Sequence, residues 1–260
     1  MNLFKKVLLT IKVIRNLHLF VLDFLGFLNN EEILYKLKNG LNFITRGGST
    51  DAAEVIIVNG DLEYPKVYFK NLINSVILDV GANIGAFSLY SYNILVSQNP
   101  KIYSIEPSIE NFGILQRNII INNSANNIKA FNMALCGKDG KSFLNIGGDY
   151  DAFYVFDDRQ HIDNKNTQEV EVIKLETFCN LNSISIIDLL KMDIEGGEYD
   201  VFYNSIDFIK NNIKYIFVEI HDISQMDNMG SFKKFILNNN FKIKSEILNR
   251  TLFLVNKKYE

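Results

Sequence analysis

Two short runs concentrate six groups that could do chemistry. Lys191, Asp193, Glu195 and Glu198 fall within eight residues, and Glu219 and His221 stand two apart. Burying so many charges is costly unless they are paired, so their grouping at the ends of apolar runs marks a site. Spacing of two puts Lys191, Asp193 and Glu195 on one side of an extended strand as far as that strand runs, to near Asp193, and Glu219 and His221 on one side of another. Such a set could take a proton from a reacting hydroxyl. Asp193, Glu195, Glu219 and His221 could equally give oxygen and imidazole ligands to a divalent cation such as magnesium, and the sequence leaves both devices open. A salt bridge from Lys191 to a carboxylate, with Glu198 at a helix N-terminus, accounts for only two of the four charges in the first run.

A second feature is the run Ile77-Leu78-Asp79-Val80-Gly81-Ala82-Asn83-Ile84-Gly85. An apolar strand that ends in Gly-x-x-x-Gly at the mouth of a helix should line a pocket at the carboxyl edge of an open sheet. A dinucleotide would need glycine at the third position of the turn, where its pyrophosphate approaches the backbone. Asn83 stands there, which disfavours a nicotinamide-dependent oxidoreductase and favours a nucleoside without that phosphate, S-adenosylmethionine. Glu106, followed by Pro107, lies 20 to 25 residues beyond the glycine turn, the separation expected of a carboxylate that accepts ribose hydroxyls.

These residues need strands and helices to hold them. Apolar runs over 76–80, 101–105, 128–133, 186–192 and 215–220 predict parallel strands, with helices over 84–96, 108–121, 175–181 and 231–238 between them. Ser108 is the expected cap of the second of these helices. Two further strand-like runs, 241–247 and 251–255, predict an antiparallel pair at one edge. The alternation predicts an α/β fold with a mostly parallel sheet. Ahead of it, 31–39 closed by Gly40 predicts a helix, as does 52–58 after Thr50 or Asp51, so 1–65 is expected to be a helical cap on a domain spanning 66–260. The polar insert 147–166 carries Tyr150, Phe153, Tyr154 and Phe156 and is either a binding loop or a surface excursion.

With 27 basic and 30 acidic residues the net charge is −3, which supplies no field for nucleic acid. Cys136 and Cys179 are too few for a disulfide framework or a structural zinc, and the expected compartment is the cytoplasm. The first 28 residues combine Lys5, Lys6, Lys12 and Arg15 with the apolar stretch 17–28, too short to span a membrane. Phe4, Val7, Leu8, Ile11 and Ile14 repeat at helical spacing. Such a helix either docks on its own domain or contacts a membrane surface from the cytoplasmic side.

The whole set resembles the FkbM family of S-adenosylmethionine-dependent O-methyltransferases. The resemblance is carried by Asp79 to Gly85, Glu106-Pro107 with Leu115, Asn118 and Asn122, Ala134-Leu135, Lys191 to Glu198, and Val218-Glu219-Ile220-His221. Arg46, Thr50-Asp51 and Glu63-Tyr64 resemble the segment ahead of that family's core, so the likeness runs from about Arg46 to His221. It implies a class I methyltransferase, Rossmann-like fold with a seven-stranded sheet and one antiparallel edge strand. The cofactor contacts expected are Asp79, Gly81, Asn83, Gly85, Glu106, Pro107, Ala134 and Asp193, and the catalytic residues expected are His221, Asp193, Glu195 and Lys191, with His221, beside Glu219 at its strand end, as the leading base and Asp193 as the alternative. The acceptor the resemblance implies is a hydroxyl on a saccharide of a surface glycan or glycolipid. A polyketide-type hydroxyl is the alternative, and a non-catalytic glycan-binding scaffold is the alternative of another class.

Overall fold

The computed structural model describes residues 3–70, 72–145, 155–156 and 167–260. The chain opens with helices α1 (Leu3–Val13) and α2 (Leu17–Phe24), then strands β1 (Glu32–Lys36) and β2 (Asn42–Arg46), then α3 (Asp51–Asn59). The expected helix over 31–39 is therefore an antiparallel hairpin. Ile33, Tyr35 and Leu37 are buried while Leu34 and Lys36 face outward, a period of two, and Gly40 makes the turn rather than a helix cap. Tyr35 and Phe43 share one continuous core with Val55 and with Ile77, Leu89 and Ile102 of the main sheet, so the head is a mixed helix and hairpin layer packed on the sheet.

The main body runs β3 (Val76–Val80), α4 (Ala86–Leu95), β4 (Lys101–Ile105), α5 (Ile109–Ile121) and β5 (Ile128–Phe131). The short strands β6 (Ala134–Leu135), β7 (Gly140–Asn145), β8 (Val155–Phe156) and β9 (Thr167–Ile173) follow. The chain ends with α6 (Leu175–Leu181), β10 (Ile187–Met192), α7 (Glu198–Asn212), β11 (Ile213–Glu219), α8 (Met229–Asn238), β12 (Phe241–Ile247) and β13 (Thr251–Asn256).

Seven strands form the main sheet in the order β12-β13-β11-β10-β3-β4-β5. Strands β11, β10, β3, β4 and β5 are mutually parallel, and β13 is antiparallel to both its neighbours. The antiparallel strand thus lies one place in from the edge. The tight turn after β12 sends β13 back between β12 and β11, which leaves β12 outermost. Strand order reverses between β3 and β10, and a crevice opens there at the carboxyl ends.

A smaller four-stranded sheet, in the order β6-β9-β7-β8, was not foreseen from the sequence. Strands β7 and β9 pair from Gly140 opposite Val172 to Asn145 opposite Thr167, so the insert leaves the body from the end of a hairpin. Apart from the backbone of β8, the insert lies outside the described residues.

Candidate active site

The glycine turn after β3 is built by backbone hydrogen bonds. Gly81 and Ala82 both donate N–H to the carbonyl of Ile105 at 3.0 Å, which ties the end of β3 to the end of β4. Gly81 has φ +74°, and a Cβ there would sit 1.8 Å from the Asp193 carbonyl oxygen. No small shift of β10 relieves that contact, because β10 is paired on both sides. Gly81→Ala is expected to cost roughly 3 kcal/mol or more of folding stability, read as a lower denaturant midpoint.

Glu106 is buried beside this turn. One carboxylate oxygen accepts the Asn83 N–H at 2.8 Å and the other accepts the Ser108 N–H at 2.9 Å. Burial pushes its carboxyl up to about 7, against the opposing pull of those two N–H groups and of Lys191. The Asn83 side chain donates to Glu54 of α3 at 2.5 Å, and Asn111 of α5 donates to Glu106. That arrangement leaves the side-chain oxygens of Asn83 and Asn111 buried with no partner in the protein. Gly81, Asn83, Glu106, Pro107, Asn111 and Ala134 line a pocket of about 960 Å³. Two orphaned acceptors and a buried carboxylate call for a ligand rich in hydroxyl and amino donors. An adenosine-type cofactor fits that demand, and the volume leaves room for an acceptor beside it.

Three of the expected site residues sit behind the pocket wall. Asp79 is fully buried and accepts the Ser88 hydroxyl at 2.5 Å. Its register partner across the β3–β10 ladder is Lys191, whose ammonium lies 3.5 Å from the Asp79 carboxylate and donates to the Gly81 carbonyl at 2.7 Å. Burial works against the charge on Lys191. Asp79, Asp193, Glu54 and Glu63 outweigh it and hold the pKa above the ordinary lysine value. Lys191 is therefore a fixed cation beneath the turn and has no proton to exchange with an acceptor. Gly85 caps α4 at φ +92° with its Cα side against Leu115, so it shapes the turn from behind.

The period-two reading of 191–195 fails after Met192. Strand β10 ends there, and Glu195 has φ +53°, so the chain folds over into the turn that starts α7. Glu198, fully buried, closes this turn by accepting the N–H groups of Ile194 and Gly196, both at 2.9 Å. Its position at the start of α7 is favoured by the helix dipole.

His221 follows β11 and faces this turn. Its Nδ1 lies 3.1 Å from Glu198, and its Nε2 lies 3.4 Å from Glu195, 3.5 Å from Glu219 and 3.9 Å from Asp193. Burial disfavours the charged ring, yet the hydrogen bond to Glu198 and the charges of Asp193 and Glu195 raise the pKa to about 9. The imidazole is thus held as a cation at neutral pH, which runs against its expected part as the base.

Two residues that sequence reasoning missed complete this end. Glu63, from the head, is buried with its carboxyl within hydrogen-bond reach of Glu219. Arg250, from the turn before β13, donates to Glu219 at 2.8 Å. Thr251, which pairs with Glu219 across the sheet, reaches Glu63 at 3.5 Å. Two adjacent buried carboxyl groups cannot both ionise easily, so Glu63 and Glu219 share a proton. Ligand atoms of Asp193, Glu219 and His221 lie within 4.8 Å of one another, close enough to converge on a cation. A cation there would have to displace the His221 proton, and Lys191, His221 and Arg250 already set three positive charges against these carboxylates.

Glu63, Asp193 and Glu219 line the same pocket as Glu106, so one cleft joins a nucleoside end to a carboxylate end. The sequence profile of the methyltransferase FkbM domain matches residues 79–243. The chain belongs to the FkbM family. It carries that family's S-adenosylmethionine-dependent methyltransferase domain on a fold that places the nucleoside-type turn and the acidic turn at one switch point. The methyltransferase sdnD of Sordaria araneosa is 27% identical over 155 residues, covering 49% of this chain and 59% of that one. The solved FkbM methyltransferase from Methylobacillus flagellatus is similar in fold at a TM-score of 0.50 and 14% identity, covering 78% of this chain and 53% of that one. The chain thus spans between half and three fifths of each relative. The FkbM match begins at Asp79, so Glu54 and Glu63 reach the cleft from outside it.

Proposed function

We propose that this chain is an O-methyltransferase that moves the methyl group of S-adenosylmethionine to a hydroxyl of a saccharide. The observation that carries the reading is the buried Glu63–Glu219 pair, which lines the cleft beside Asp193 and opposite the Glu106 end. Bound S-adenosylmethionine supplies an activated methyl group. The protein must then hold the acceptor in line and receive the proton that its hydroxyl gives up. A carboxyl pair carrying one proton has the capacity to receive another and offers several acceptor lone pairs to vicinal hydroxyls. Asp193, which follows β10 and lines the same cleft with its charge acting on Glu63 and Glu219, is assigned to positioning. His221 acts through Glu198, Glu195 and Glu219, whose negative charges it holds in place.

Incubation with radiolabelled methyl donor and a panel of saccharides tests the reading directly. Label that survives mild alkali as a methyl ether on a sugar is expected. Alkali-labile methyl ester, N-methyl product, or transfer only to polyketide-type hydroxyls would each overturn the part of the reading it contradicts. Because three protein cations already face the carboxylates, transfer is also expected to be unchanged by EDTA. A loss restored by magnesium would reassign Asp193, Glu219 and a neutral His221 to a metal.

A further inference from the structure

Helix α1 buries one face and leaves another apolar face in solvent. Leu9, Val13 and Ile14 pack into the core, whereas Val7, Leu8 and Ile11 are 44 to 50% exposed. Lys12 stands one helical turn beyond Leu8, so an exposed cation continues a row of exposed apolar side chains, and Arg15, just past the end of the helix, is exposed as well. Helix α2 buries no residue completely, though six of its eight residues are large and apolar. Val21, Phe24 and Leu25 share its outer face by their spacing, and Phe27 follows in the next turn. Phe24 and Phe27 are 74% and 72% exposed.

Phe24 has Phe20 stacked beneath it at 6.4 Å, and Phe20 in turn contacts the buried Tyr35, so the outer face is backed by ordered structure. The lone acid of the segment, Asp23, is turned inward, where it accepts the Tyr35 hydroxyl at 2.8 Å and the Gly48 N–H at 2.8 Å. The first 30 residues therefore hold four basic residues and one acid that is drawn inward, in a chain whose net charge is −3. Exposed aromatic and aliphatic side chains flanked by cations, with the only acid withdrawn, complement an anionic lipid surface.

We propose that the outer face of α1, α2 and the turn to Phe27 docks the protein onto the surface of a membrane containing anionic lipid. Among the described residues no helix is long and apolar enough to cross a membrane, so the contact is interfacial. The inference concerns the head alone and stands apart from the choice of acceptor.

Co-sedimentation of the full chain with phosphatidylcholine vesicles holding about one third phosphatidylglycerol tests it. Binding is expected, weakening as salt rises. Phe24→Ser/Phe27→Ser should lower the partition coefficient on the order of tenfold or more, and Lys6→Glu/Lys12→Glu about fivefold or more per charge at low salt. All four positions are exposed, so the variants should keep the melting temperature of the parent, which is measured alongside. Absence of binding to these vesicles, or equal binding by parent and Phe24→Ser/Phe27→Ser, would overturn the proposal. So would a stable dimer in lipid-free light scattering that the same double variant dissolves, because a second copy would then be the occupant of this face.

Discussion

Glu106→Ala is expected to weaken S-adenosylmethionine and S-adenosylhomocysteine binding by about a hundredfold or more in calorimetric titration. Each hydrogen bond to an ionised carboxylate is worth about 1.5–3 kcal/mol, and a ribose can supply two. The substitution also frees the Asn83 and Ser108 N–H groups that Glu106 holds, so the turn loosens as well as losing its acceptor. The unsubstituted protein should show the same dependence through pH. Ribose hydroxyls donate, hence the binding form is the carboxylate, and burial has pushed its pKa up to about 7. Affinity should be flat above pH 7 and fall by up to about tenfold per unit below it. Glu106→Gln removes the titrating group, so its residual affinity should lose that slope. A slope that persists in Glu106→Gln would place the titrating group elsewhere in the cleft.

The cofactor end of this site was legible because its signal is local. A buried strand, a glycine turn and an acid one strand later lie within about thirty residues, and short-range backbone geometry fixes all three. Strands β3 and β4 and helix α5 follow the expected ranges for the same reason. The hairpin over 32–46 was misread because Ile33, Leu34 and Leu37 suit a helical stripe as well as Ile33, Tyr35 and Leu37 suit a strand face. Packing of Tyr35 and Phe43 into the common core decides between them, and that is a tertiary fact. Lys191 and Asp79 were recognised as charged and placed in the chemistry. Their cross-strand register instead makes them a buried pair, and register depends on which strands become neighbours. Glu63 stood out only as part of the segment ahead of the core, with nothing to place it at the site, and Arg250 carried no local signal. Each is a single charged residue in a connecting segment, and only the return of β13 alongside β11, with the head folded over it, brings both to Glu219.

That assembly sets the larger catalytic expectation. Glu63→Gln and Glu219→Gln should each lower kcat by about 10²- to 10⁴-fold with little change in cofactor affinity, whereas replacement of His221 by Asn should cost about tenfold or less. The pH profile separates the residues further. Burial, then the charges of Asp193 and Glu63, push the Glu219 carboxyl up to about 9, with Arg250 opposing, and burial likewise raises Glu63. The pair as a whole keeps its last proton until near pH 9. His221→Asn removes a positive charge from these carboxylates, so its profile should move to higher pH. If His221 were itself the base, these results would exchange places. Its substitution would then abolish transfer, and the glutamine variants at positions 63 and 219 would retain most of the rate and lower the histidine's pKa. The two assignments thus predict opposite rank orders in kcat, measurable on the same variants once an acceptor is in hand.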